Sequence, residues 1–352
     1  MKKVIAIVLA LLMVFSLAAC GGKKTAKEWP SGDITLYFPY DESSLTAVNA
    51  TTMADWIREQ TGSKVKVEVE YDKTADGWNL AQKLLKEDAD GLTLMVVGLD
   101  ALTGYVKGTW QDAPTDEKKF QIVTGFTQPY PYSGCMLITQ ADAPYSTWEE
   151  LEKYAKANPD KVNVADRAGS IMTTKLKSLF NQTGLSQYVH WTPATSDSVK
   201  TGIDPANKSI NIAIFDETSA AKYLQQPDKY KAIINCRADN NFDYYPDSVA
   251  GLDLIKKVPT LLDVFGAEKA EQYNVPNTTA IICRADVPAE TVAKIKSVCD
   301  ALGDVEKSDK DDSFYMRQRV NGGTSKYYAF DAADILKEWT RLLPVIKEIE
   351  GK

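Results

Sequence analysis

The sequence predicts an α/β protein of two lobes, each a mostly parallel β-sheet flanked by helices, with a ligand cleft between them. Three observations carry that expectation. Short β-rich apolar runs alternate with segments of helical periodicity, the pattern of βαβ units and parallel sheets. That alternation runs once, breaks, and runs again. The chain has 352 residues, 44% of them apolar, enough for two cores at the usual size of about 150 residues per domain.

Residues 1–28 precede the fold. Lys2 and Lys3 lead into an apolar run over 4–17, too short and wrongly flanked for a stable span but suited to a signal peptide. It ends in Leu17-Ala18-Ala19-Cys20-Gly21-Gly22, which resembles a bacterial lipobox. The resemblance implies a signal peptide over 1–19 and acylation of Cys20, holding the protein on a membrane surface without spanning it. Residues 20–28 read as a flexible tether. The formal charge is −7 and no basic cluster is present, which argues against nucleic acid or anionic lipid as partners.

The first lobe is expected over 29–134. Residues 34–38 form a short buried strand, Pro39 ends it, and a polar loop leads into helical spacing at Leu45, Val48, Thr52, Trp56 and Ile57, stopped by Gly62. Residues 64–71 alternate strictly, which predicts a strand with one wet face near a sheet edge. A helix from Asp76 and an apolar strand over 92–98 follow. The loop Gly98-Leu99-Asp100 should then lie at the same sheet edge as residues 40–46, where open α/β sheets bind ligands and helix N-termini favour anions. Residues 103–119 read as irregular, and 121–126 as a further strand.

The second lobe is expected over 135–237. Thr147-Trp148-Glu149-Glu150 is a capping box. Strands at 161–165, 189–191, 210–215 and 231–236 alternate with helices. From 238 to 352 the chain is expected to return to the first lobe, through an irregular stretch over 240–257, a strand at 278–283, a helix to about 302, and an amphipathic helix over 331–350 interrupted by Pro344. Hinge closure would need only a few residues, near Gly134 and after Arg237.

Several motifs together carry a family resemblance. They are Trp29-Pro30-Ser31 with Ile34-Thr35-Leu36 and Pro39-Tyr40; Asp90-Gly91-Leu92-Thr93-Leu94; Thr147, Glu150-Leu151, Tyr154-Ala155 and Asn158-Pro159; Gly169-Ser170; Asn211-Ile212-Ala213-Ile214-Phe215-Asp216; and Ala285-Asp286-Val287-Pro288-Ala289-Glu290-Thr291. In this order, behind a lipobox, they resemble the extracytoplasmic receptors of tripartite tricarboxylate transporters, also called Bug or TctC-like receptors. The resemblance covers nearly the whole chain from Trp29. It implies a type II periplasmic-binding-protein-like fold and a lipid-anchored, extracytoplasmic, monomeric, non-catalytic receptor. Such a receptor captures a small organic solute, most often a carboxylate, for a membrane permease, without cofactor or metal. The implied ligand positions are Tyr40, Asp41, Ser43, Ser44 and Thr46; Gly98; Arg167, Gly169 and Ser170; Thr195; and Phe215, Asp216 and Thr218.

The first loop departs from the family pattern. The family's glycine pair has become Ser43-Ser44, its Asp has become Ala47, and Asp41-Glu42 add negative charge. Two ligand chemistries follow. A carboxylate would bind backbone N–H groups, serine hydroxyls and Arg167. A cationic or zwitterionic solute would instead meet Asp41, Glu42, Asp216 and Glu217. Each of these acids also has a plain role at a helix N-terminus, and Arg167 also reads as a surface residue. A receptor of another transporter class is the alternative function. A hydrolase is the least supported: no G-x-S-x-G, P-loop or G-x-G-x-x-G occurs, and the one histidine, His190, lies in a short apolar strand and reads as a core residue. Cys135, Cys236, Cys283 and Cys299 read equally as two disulfides or as four buried thiols.

Overall fold

The structure, a computed structural model, describes residues 29–42, 45–62, 64–127, 134–167, 170–242, 251–276, 278–300 and 328–351. The expected signal peptide with Cys20, and Ser43, Ser44 and Gly169, lie outside the described residues.

The first lobe runs β1 (Ile34–Phe38), α1 (Leu45–Gln60), β2 (Val67–Tyr71), α2 (Trp78–Leu84), β3 (Thr93–Gly98), α3 (Leu99–Lys107) and β4 (Phe120–Thr127). The second holds β5 (Cys135–Gln140), α4 (Trp148–Ala157), β6 (Asn163–Asp166), α5 (Ile171–Gln182), β7 (His190–Pro193), α6 (Ser196–Gly202), β8 (Ala213–Asp216), α7 (Glu217–Leu224) and β9 (Tyr230–Asn235). Three short helices follow, α8 (Leu252–Ile255), α9 (Leu261–Phe265) and α10 (Ala267–Tyr273). The chain then returns through β10 (Thr278–Arg284), α11 (Ala289–Asp300), β11 (Tyr328–Phe330) and α12 (Ala332–Ile349).

The first sheet has the order β11-β4-β10-β3-β1-β2. Strands β1, β2 and β3 are parallel, and β10 runs against both β3 and β4. Both faces are covered, which is why β3 reads as an unbroken apolar run. Leu94 and Val96 join one core with Trp56 of α1 and Ile295 of α11. Met95 and Val97 join the opposite core with Trp78 of α2, Leu102 of α3 and Trp339 of α12. The alternating strand β2 is at the edge, as its period predicts. In the second lobe β5 is antiparallel to β8 and β9, β6 is parallel to β7, and a parallel bridge Val164↔Ile212 joins the two pieces. The combined order is β7-β6-β8-β5-β9. In each sheet the strand that has just arrived from the other lobe, β5 or β10, runs antiparallel to both of its neighbours.

Two stretches differ from the sequence reading. Residues 103–107 are helical, not irregular: Leu99, Leu102, Thr103 and Val106 line one buried face of α3. The glycine at 104 that weakens the pattern is required by packing, since a Cβ there would lie 2.8 Å from Cδ1 of Trp110. The lobe boundary also falls later than residue 238. Leu252, Ile255 and Val258 complete one core of the second lobe, and Leu261 and Ala270 the other. Val275 is the first residue after them to join the first lobe's core.

Helix α12 seals the first lobe. Trp339 Nε1 donates to Thr278 Oγ1 at 2.7 Å, and Ile335 sits directly on Gly125 of β4, where a Cβ would lie 2.0 Å from Ile335 Cγ1. Gly125→Ala is therefore an overpacking change, expected to cost about 1–3 kcal/mol in urea unfolding. Unchanged stability would show that α12 can lift off β4.

Candidate functional site

The registers bring the carboxyl ends of the strands of both lobes to the first crossing. In the first lobe, the end of β3 is level with the start of β10 (Gly98↔Thr279), and that start is level with the end of β4 (Thr278↔Thr127). The chain leaves the lobe there. It enters β5 at Cys135, which pairs with Asp216 at the end of β8. The ends of β1 and β3 thus border the crossing from one side, and those of β6 and β8 from the other. This is where open α/β sheets hold ligands.

On the first lobe, Tyr40 and Asp100 meet. Tyr40 follows β1, Asp100 lies in the first turn of α3, and the Tyr40 hydroxyl donates to Asp100 Oδ2 at 3.2 Å. Gly98 permits this crossing, because a Cβ on it would lie 3.1 Å from the Tyr40 oxygen. Among the described residues the Asp100 carboxylate has no ion pair. Burial raises its pKa above the ordinary carboxylate value, and the Tyr40 hydrogen bond opposes that rise; nearby Asp76 raises it further and Lys107 lowers it. Asp41 is exposed and pairs with Lys73, so its charge is already met at the surface. Glu42 is exposed too, and Thr46 is in the first turn of α1.

On the second lobe, Arg167 follows β6 and is partly buried. Its backbone N–H donates to Thr173 Oγ1 at 3.1 Å. Among the described residues its guanidinium has neither hydrogen bond nor ion pair. Burial lowers its pKa, while the nearby Cys135 thiol and Asp216 carboxylate act in the opposite direction. Ser170 is the N-cap of α5, and its side chain makes no capping bond. The other expected positions are committed locally. Asp216 caps α7, accepting from Ser219 N at 2.8 Å and from the Thr218 hydroxyl at 2.7 Å. Phe215 stacks on Tyr223 with ring centroids 4.5 Å apart. Thr195 is exposed and forms a capping box with Ser198. His190 is exposed on β7, not a core residue, because the two-residue period turns it outward from an edge strand.

The sequence reading missed a buried polar cluster behind this edge. Glu217 and Arg237 are fully buried, with Arg237 Nη1 3.2 Å from Glu217 Oε1. Asn235 Nδ2 donates to the same oxygen at 2.5 Å. Arg237 also donates to Asp239 and to the Asn241 carbonyl, and lies over the Phe242 ring at 4.1 Å. Gly134 abuts the cluster: a Cβ there would fall 2.0 Å from Glu217 Oε1. Lys175 of α5 is also buried, close to Cys135 and Cys236. A lone acidic N-cap pair at 216–217 gives no hint that its second member turns inward. The four cysteines are buried thiols.

Compared by sequence, the chain matches no family model and no curated protein. Compared by structure, it matches many solved chains. A TctC solute-binding protein from Polaromonas, solved without ligand, shares 16% identity at a TM-score of 0.66, covering 92% of this chain and 99% of that one. A Rhodopseudomonas palustris protein with adipate shares 16% at 0.58, covering 92% and 99%. MatC from Rhodopseudomonas palustris with bound malate shares 15% at 0.56, covering 90% and 100%. The fold is that of the periplasmic solute-binding proteins. In this solute-binding fold the crossing bordered by Tyr40, Asp100 and Arg167 lies between the two lobes, and the Glu217 cluster backs it.

Two changes test the energetics of this edge. Arg237→Met leaves Glu217 buried without its cation and is expected to cost about 3–5 kcal/mol; a loss below about 1 kcal/mol in urea unfolding would mean that the contact does not hold this edge together. Asp100→Asn works the other way. The folded pKa of Asp100 is raised above its unfolded value of about 3.9, so its favourable contribution is present below that value and lost as pH rises through the folded pKa. At neutral pH the carboxylate is a burden on the fold. The variant should melt higher than the parent at pH 7 and lose that advantage below about pH 4. Equal melting temperatures at both pH values would contradict the desolvation of Asp100.

Proposed function

We propose that this chain is an extracytoplasmic solute-binding receptor that captures a small organic carboxylate between its lobes and delivers it to a membrane permease of the tripartite tricarboxylate type. The observation that carries the reading is Arg167: a partly buried guanidinium with no partner among the described residues, at the carboxyl edge of the second sheet. A partly desolvated cation gains most from an anion that brings two oxygens. Ser170, at the start of α5, adds an uncommitted capping position beside it. The bound adipate and malate of two structures with the same fold support a carboxylate as the solute class. The lipobox-like segment ending at Cys20 supports lipid anchoring outside the cytoplasm, and the whole is read as a monomer without catalytic activity. Tyr40, Asp41, Ser43, Ser44, Thr46 and Gly98 on one lobe, and Gly169, Thr195, Phe215, Asp216 and Thr218 on the other, complete the proposed lining.

The test is a melting-shift screen on the chain truncated after Cys20, with carboxylates, amino acids and polyamines. A ligand at a hundredfold excess over its Kd should stabilise by about 2.7 kcal/mol. Arg167→Gln is expected to abolish the shift given by any carboxylate hit while leaving the empty protein's melting temperature within a few degrees. A carboxylate that binds the variant as tightly as the parent would remove Arg167 from the site.

A further inference from the structure

We infer that the solute is dipolar, carrying a protonated amine as well as a carboxylate, and that Asp100 with Tyr40 forms the subsite for the amine. The inference rests on the receptor reading above and adds the second pole.

The two strand-end edges carry opposite charges. The second lobe presents Arg167, and the first presents Asp100, each partly buried and neither in an ion pair among the described residues. Other acids near this edge are already used. Asp41 is paired with Lys73 in solvent, Asp216 caps α7, and Glu217 is held by Arg237 and Asn235. Glu42 and Asp76 are exposed, which leaves Asp100 as the partly buried acid at the first lobe's edge that has no ion pair among the described residues. Among the described residues its side chain accepts from the Tyr40 hydroxyl alone, at 3.2 Å, which leaves lone pairs unused on a carboxylate that accepts at about four sites.

The geometry also explains why the two poles do not satisfy each other. Asp100 lies on α3 beyond β3, and Arg167 beyond β6, on separate sheets joined at this edge by the segment from Thr127 to Cys135. Arg167 lies near Cys135 and Asp216, and Asp100 near Tyr40, Asp76 and Lys107. A pure dicarboxylate would bring one carboxylate to Arg167 and set the other against Asp100. Like charges across a desolvated cleft repel, whereas an ammonium would supply the missing donors. An aliphatic diamine would fit Asp100 and be repelled by Arg167. Only a solute with both groups, such as an α- or ω-amino acid, satisfies both lobes at once.

The experiment is titration calorimetry on the chain truncated after Cys20, at pH 7, with probes matched in length: glutarate, 5-aminovalerate, cadaverine and valerate, together with glutamate, aspartate and leucine. The expected result is binding by an amino acid, with the matched dicarboxylate, diamine and monoacid weaker. Asp100→Asn should lower amino-acid affinity by roughly tenfold to a hundredfold, and Tyr40→Phe by less, with both variants folded by circular dichroism. Affinity should also fall on acidification through the raised pKa of Asp100 in the parent but not in Asp100→Asn. Tight binding of a dicarboxylate, unaffected by Asp100→Asn, would overturn the dipolar inference and leave the carboxylate receptor intact. Binding of cadaverine insensitive to Arg167→Gln would overturn both readings. Absence of binding by every probe would likewise overturn the dipolar solute class.

Discussion

The buried contact between Glu217 and Arg237 is the constraint on which the architecture of the cleft depends. Both side chains have no solvent exposure, and taking two charges out of water costs several kcal/mol per ion before any attraction is counted. What offsets that cost is geometry. Glu217 receives Arg237 and Asn235 on one oxygen, and Arg237 spends its remaining donors on Asp239 and the Asn241 carbonyl. The two residues belong to different parts of the machine. Glu217 opens the helix behind the strand-end loop at 215–218, and Arg237 is the second residue past β9, where the chain leaves the second sheet. Gly134, at the other crossing, packs against the same carboxylate. A single buried ion pair thus ties one strand-end loop to the points where the chain enters and leaves the second sheet.

The sheets repeat the same logic. Each accepts an antiparallel strand, β10 or β5, between parallel neighbours, and that strand begins beside their carboxyl ends. Helix α12 braces this region: Arg341 donates to the carbonyls of Gln272 and Asn274 just before β10, and Ile171 of the second lobe packs against the first lobe's core. Asn274 is buried, and neither atom of its side-chain amide has a partner among the described residues. Its position between the last second-lobe core residue and the first strand of the return marks a place where packing is held by backbone and by Arg341, not by a satisfied side chain.

Much of this was legible in the sequence because it follows from period. The continuous apolar run at 92–98 announced a buried strand, and the alternation at 64–71 announced an edge. The meeting of Tyr40, past β1, with Asp100, past β3, at one edge followed from parallel connectivity. What periodicity cannot carry is the choice made by a polar side chain between two uses. Asp41 and Asp100 look alike in sequence, yet one meets a lysine in solvent and the other a tyrosine in a desolvated corner. Asp216 and Glu217 are adjacent, yet one caps a helix and the other goes fully inside. The helical character of residues 99–107 was hidden by Gly104, a residue chosen for contact with Trp110 and not for helix propensity. The return to the first lobe was read too early because short helices with few apolar residues, such as Leu252–Ile255, give little periodic signal even when they complete a core.

Asp100 and Arg167, neither in an ion pair among the described residues, bear on closure. An apolar cleft could close on itself without a ligand. A cleft bearing Asp100 on one side and Arg167 on the other would have to desolvate both while leaving lone pairs and donors unmet, and that cost opposes empty closure. A dipolar ligand reverses the sign by supplying the missing partners to each lobe at once. Hydrogen bonds to charged groups contribute about 1.5–3 kcal/mol each. Moving a two-state equilibrium from 1:99 to 99:1 takes about 5.5 kcal/mol of differential affinity. A few charge-assisted bonds made only when both lobes engage the ligand reach that figure. The same two residues that burden the empty fold would thus make closure conditional on a solute with the right pair of charges.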